Sequence, residues 1–183
     1  MPAVGQLPAA LNAQLDAPGR QLLAGHGEGW GAPQVLESLR TLAGSPSTTG
    51  GQAPGFRLPT LGGGALSLEE LRGRTVILNF WWSGCVPCRT EMPTLQRFAD
   101  QHPDASLLLI DSSDSPEAAR AFVRSVGVTA PVLMDSDAAT LAAYHVAYFP
   151  TTIVVGPDGV ERFSHTGPMD EQALSLQVSS LTP

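Results

Sequence analysis

The chain has 183 residues and carries 10 basic against 17 acidic side chains, a net charge of −7, and every basic one is an arginine. That balance argues against nucleic acid or an anionic membrane surface as a partner, since both call for a basic patch. An apolar share of 43% is ordinary for a globular protein with a full core, and the length suits one domain plus an appendage.

Residues 1–52 are expected to form an N-terminal helical extension and a Gly/Ser/Thr-rich linker, ahead of a domain over 53–183. Leu7, Leu11 and Leu15 recur at i, i+4, i+8 until Pro18-Gly19 breaks the pattern. Pro33 opens a second short helix over Gln34–Ala43, with Val35, Leu36, Leu39 and Leu42 on one side. Such helices are too short to be stable alone, so docking on the domain is expected. Trp30 and the leucine stripe also suit self-association. No stretch approaches the roughly 18 apolar residues of a transmembrane helix. The N-terminus has no basic n-region, its first cation being Arg20, and no continuous apolar h-region, so no export signal or anchor is visible in this chain.

The domain is expected to open with a strand in Ala53–Leu58, a turn at Gly62-Gly63-Gly64, a return strand Ala65–Ser67, and one helical turn capped by Ser67. Thr75–Phe80 is a β-branched and aromatic run that reads as a buried strand. Next come the chain's two cysteines, in Trp81-Trp82-Ser83-Gly84-Cys85-Val86-Pro87-Cys88-Arg89-Thr90-Glu91. A helix follows, marked by Leu95 and Phe98 on one face. The cysteines therefore sit where a strand turns into a helix. Free N–H groups and a partial positive charge at that terminus would hold a thiolate on Cys85, with a pKa below the free value of about 8.5. Cys88, one turn on, can attack a mixed disulfide formed on Cys85. Two buried structural cysteines, or half a zinc site, are the competing readings. Zinc needs two further ligands, and His26, His102, His145 and His165 are scattered without metal-ligand spacing.

Ala105–Asp111 reads as a parallel strand buried on both faces. Ser115-Pro116 opens a helix to Val126, Val132–Met134 is a short strand, and Ala138–Tyr144 is helical. Thr151–Val155 and Val160–His165 form a hairpin about Pro157-Asp158-Gly159, and Asp170 caps a last helix to Leu181. Strands alternating with helices and ending in a hairpin give an α/β fold: a mixed central sheet with helices on both faces.

Phe80-Trp81 followed by C-x-P-C-R-x-E-x-P resembles the thioredoxin-like fold, and more narrowly the membrane-anchored or periplasmic thiol–disulfide oxidoreductases of the TlpA, ResA and CcmG (DsbE) group. The resemblance covers residues 53–182. It implies an extracytoplasmic enzyme, with a cytoplasmic place as the alternative. It further implies a Cys85–Cys88 redox pair, Glu91 handling protons for the cysteines, and Pro150 as a cis-proline facing the disulfide. Asn79 stands where thioredoxin has a buried Asp. No cofactor is implied. The expected partners are a substrate protein with a disulfide or dithiol, including one of cytochrome c maturation, and an upstream thiol electron donor.

Trp82, Gly84, Phe149 and Pro150 are the expected substrate-facing residues. Trp is common before the first cysteine in these families; here Gly84 stands there, and a flat apolar cover beside Cys85 is expected to be lost. Two other functions on this fold fit less well. A thiol peroxidase would need a Thr-x-x-Cys setting that Ser83-Gly84 does not supply, and a metal- or haem-handling chaperone usually spaces its cysteines by three and adds a histidine.

Overall fold

The computed structural model describes residues 50–179; the two helices expected in the N-terminal extension, most of the linker and the expected end of the last helix at Leu181 lie outside them. A five-stranded sheet has the order β5-β4-β3-β6-β7. Its members are β3 (Thr75–Trp81), β4 (Ala105–Asp111), β5 (Val132–Met134), β6 (Thr151–Val155) and β7 (Glu161–Thr166). β3, β4 and β5 run parallel, while β6 and β7 are antiparallel additions on the other side of β3. A small hairpin of β1 (Arg57–Pro59) and β2 (Ala65–Ser67) precedes them. The helices are α1 (Val86–Gln101), α2 (Pro116–Val126), α3 (Ala139–Ala143) and α4 (Glu171–Ser179). None of the described helices is long and apolar enough to cross a membrane.

The period of two along the strands sorts the core into two layers. Ile77 and Trp81 of β3, Leu107 and Leu109 of β4 and Val154 of β6 pack with Met92, Leu95 and Phe98 of α1, Phe122 of α2 and Leu174 of α4. Val76, Leu78, Phe80, Leu108, Ile110, Ile153 and Val155 face the other way, onto Phe56, Leu58, Tyr144 and Val146. Every residue of β3 is buried, as expected for a central strand covered on both faces. Asn79 belongs by this alternation to the α1 side, which matters below.

Local chemistry explains most boundaries. Ser115 Oγ accepts the Ala118 N–H at 3.3 Å, and Pro116 takes the first position of α2. The helix ends at Gly127, whose φ of +70° closes the last turn with Val128 N donating to Val123 O. Asp170 Oδ1 caps α4 by accepting from Ala173 N at 2.7 Å.

Four expectations need correction. The opening strand is confined to Arg57–Pro59; upstream, Gly50 donates to Glu161 O at the start of β7 and Ala53 to Gly159 O in the β6–β7 turn. Ser67 does not cap the following helical turn. It is still paired with Arg57 in the hairpin, and the Glu70 carboxylate instead takes its backbone N–H at 3.3 Å. α3 is shorter than Ala138–Tyr144, because Ala138 adopts φ +55° and Asp135, further upstream, accepts from Thr140 N and Leu141 N. β7 begins at Glu161 rather than Val160, which forms an isolated bridge with Gln52.

α1 runs through Pro93, an interior proline that removes one helical hydrogen bond at a cost of about 3 kcal/mol. Met92, Leu95 and Phe98 are almost wholly buried on the same helix. At about 1.5–3 kcal/mol for each side chain, their burial outweighs the proline. Phe98→Ala should accordingly cost about 3–5 kcal/mol, measured by urea unfolding of the oxidised protein; a loss under about 1 kcal/mol would contradict this view of how the cysteine-bearing helix is anchored.

Candidate active site

Cys85 and Cys88 form a disulfide, with their Cα atoms 5.3 Å apart. Cys85 is the N-cap residue of α1, and its Sγ accepts the Cys88 N–H at 3.2 Å. The donor and the positive helix end that a thiolate would use are therefore in place. Cys85 keeps 6% exposure and Cys88 none, so both are largely covered and only the first touches solvent.

The link from β3 to this helix is a turn. Cys85 N donates to Trp82 O at 3.1 Å. Ser83 is gripped through both its N–H and its hydroxyl, each 2.6 Å from an Asp114 carboxylate oxygen. Asp114 is in turn placed by Asp111 at the end of β4, whose Oδ1 accepts from Ser113 N and Asp114 N at 3.0 and 2.8 Å. Asp111 is fully buried; burial first, and the neighbouring Asp114 carboxyl second, push its pKa up to about 7.

Cys88, Glu91, Met92, Leu95 and Phe98 are the buried stripe of α1, so Glu91 is a carboxyl set where an apolar side chain would ordinarily stand. It is 3% exposed. Asn79 Nδ2 donates to its Oε1 at 2.5 Å, and Met169 N donates to its Oε2 at 2.8 Å. Asn79 also donates to Thr152 Oγ1 at 3.0 Å, the residue directly across from it on β6. Burial pushes the Glu91 pKa up to about 7, against the two hydrogen bonds, which favour the carboxylate. Helix geometry puts its Cβ roughly 5–6 Å from that of Cys88, three residues earlier.

The third element is the turn before β6. The Phe149–Pro150 peptide is cis. Thr151 Oγ1 donates to Tyr148 O at 2.8 Å, and Gly167 N donates to Pro150 O at 2.8 Å. Since Phe80 pairs with Thr151, Pro150 arrives at the end of β3 from which the cysteine turn departs. Phe149 is half-buried and packs against both core layers, while Tyr148 beside it is exposed. Trp81 is core: it is fully buried and stacks on Phe122 at 4.8 Å.

At Gly84 the structure differs from expectation. The place a side chain would take there is filled by the Trp82 indole: a Cβ on Gly84 would overlap Cζ3, Cη2 and Cε3 of that ring, the last at 2.9 Å. A flat apolar ring thus stands at position 84 after all, supplied from two residues upstream. The Asp111–Asp114–Ser83 chain, Thr152 and the Met169 N–H were also not expected. The last is a backbone group 78 residues from its acceptor and leaves no sequence signal.

The AhpC/TSA family model matches residues 49–163. The chain is 34% identical over 133 residues to the thioredoxin-like protein YneN of Bacillus subtilis, covering 70% of this chain and 78% of the relative. It is 33% identical over 138 residues to the thiol-disulfide oxidoreductase ResA of the same organism, covering 73% and 76%. A crystal structure of a thiol:disulfide interchange protein assigned as DsbE, from Chlorobium tepidum, superposes with a TM-score of 0.69 at 26% identity, covering 74% of this chain and 97% of that one. A cysteine pair closed across the first turn of a helix, on a mixed sheet shared with these proteins, places the chain in the AhpC/TSA family as a thioredoxin-fold thiol–disulfide oxidoreductase similar to ResA and DsbE.

Proposed function

We propose that the enzyme works as a reductant of disulfides in partner proteins, with Cys85 as the attacking thiol, Cys88 as the resolving thiol and Glu91 as the proton acceptor for Cys88. The observation that carries this is the arrangement on α1: Cys85 at the solvent-touching N-cap, Cys88 and Glu91 together on its buried stripe. In the reduced enzyme the Cys85 thiolate attacks one sulfur of the substrate disulfide. A Cys85–substrate disulfide forms, and the other substrate sulfur leaves as a thiolate that takes a proton from water. Cys88 then passes its proton to the Glu91 carboxylate and attacks Cys85 Sγ. The Cys85–Cys88 bond closes, the second substrate thiolate leaves, and two electrons have moved to the substrate. An upstream dithiol donor reverses the closure.

Glu91 suits its part because a carboxyl that titrates near pH 7 can accept and return a proton under working conditions. The backbone of Phe149, in the turn ahead of β6, is offered to an extended partner segment, and Trp82, Gly84 and Phe149 line the approach to Cys85. An extracytoplasmic place, and a substrate of the cytochrome c maturation kind, are supported by the resemblance to the ResA and DsbE group.

Cys88→Ser should stop the reaction halfway and leave partner proteins disulfide-bonded to Cys85, read on non-reducing gels of cells expressing the variant. No adduct with Cys88→Ser, or equal adducts from a Cys85→Ser variant, would overturn the assignment of the two thiols. The release step should slow as pH falls below about 7, because Glu91 is then protonated and cannot accept the Cys88 proton. Glu91→Gln should slow that step about a hundredfold and flatten its profile between about pH 6 and 8, followed by stopped-flow. Wild-type rate and profile in the variant would remove Glu91 from the mechanism.

A further inference from the structure

We propose that Trp82 and Gly84 act as one unit that sets substrate specificity: Gly84, the residue before Cys85, leaves open the space its side chain would take, the Trp82 indole fills that space, and the indole favours substrates with an apolar residue beside their cysteine. This rests on the disulfide-reducing reading above. Backbone conformation does not call for glycine at position 84, which is absent from the residues with positive φ. What the position excludes is a Cβ, because the indole carbons already lie there. The turn that carries the indole is fixed independently, by Cys85 N on Trp82 O and by Asp114 on both donors of Ser83.

The indole so placed is not core. It keeps 40% exposure, whereas the adjacent Trp81 keeps none. Of the four exposed large hydrophobic residues described, three lie on the segments bordering the disulfide: Trp82, Val86 at 74% and Tyr148 at 68%. Large apolar side chains gathered in water around a reactive bond mark a surface that is covered during the reaction. The occupant is the extended segment of a substrate protein, since the attacked sulfur must come to Cys85 itself. An exposed flat ring at the position before the attacking cysteine rewards an aliphatic or aromatic neighbour of the substrate sulfur. A polar neighbour would be desolvated against the ring with no hydrogen-bond partner.

The test uses the full chain, reduced beforehand, in single-turnover reaction with two symmetric peptide disulfides. The peptides differ only in the residue before the cysteine, Leu in one and Ser in the other. The wild type should oxidise about tenfold faster with the Leu peptide, equivalent to about 1.4 kcal/mol. Trp82→Ala, which removes the indole, and Gly84→Ala, whose methyl group displaces it, should both bring the ratio to within about twofold. Because the readout is a ratio within one sample, any loss of folded protein cancels. A wild-type ratio near one, or either variant keeping the wild-type ratio, overturns the proposal while leaving disulfide reduction standing. Failure of the wild type to reduce either peptide would instead sink the disulfide-reducing reading itself.

Discussion

The site depends on one carboxyl held out of water. Glu91 sits in the apolar stripe of α1, where its neighbours Cys88, Met92 and Leu95 are all buried. A bare carboxylate there would be costly, and the structure meets that cost in two ways. Asn79 of β3 and the backbone of Met169, just ahead of α4, each donate a hydrogen bond to it. The group's titration also rises to the neutral range, so the charge can be given up. The same bonds tie α1 to the central strand and to the segment leading into α4. The helix that carries both cysteines is thus secured through the group proposed to serve them with protons.

The sheet explains why these parts meet. β3 is central, with a parallel neighbour on one side and an antiparallel one on the other. Its C-terminal end therefore faces the end of β4 and the beginning of β6 together. From the end of β4 and the loop after it come Asp111 and Asp114, the first placing the second, which holds Ser83 and so the turn ahead of Cys85. From the turn before β6 comes cis-Pro150 with Phe149 and Tyr148. The period of two adds Asn79 and Thr152 on the face that receives α1, opposite each other in register. A site at the carboxyl ends of parallel strands is the usual outcome in open α/β sheets. The antiparallel entry of β6 brings the cis-Pro150 turn to that same end.

Much of this was legible in the chain, where a local pattern had no competitor. Thr75–Phe80 is a β-branched and aromatic run and Ala105–Asp111 a largely apolar one, both too short for helices, and both are strands. Ser115-Pro116 ahead of an amphipathic stretch marks the start of α2. Cys85 and Cys88 are recognisable from their place between a strand and a helix, while Glu91 was pointed to by the family resemblance. The misses have a common physical origin, since each depends on a partner remote in sequence or on competition for one backbone group. Ser67 lost its capping role to strand pairing with Arg57, and Asp135 capped a helix from outside its expected start. The grip of Asp114 on Ser83 spans 31 residues. Gly84 read as a missing aromatic because the ring that fills its place belongs to Trp82, and side-chain direction in a turn has no sequence period.

The central claim is that the Cys85–Cys88 pair gives electrons away. Equilibrating the full chain in thiol redox buffers and counting free thiols by alkylation measures its reduction potential directly. A value near or below about −250 mV, toward the thioredoxin end of the scale, is the predicted result. A value near about −120 mV, that of a strong disulfide-forming oxidant, would contradict the account by reversing the direction of electron flow.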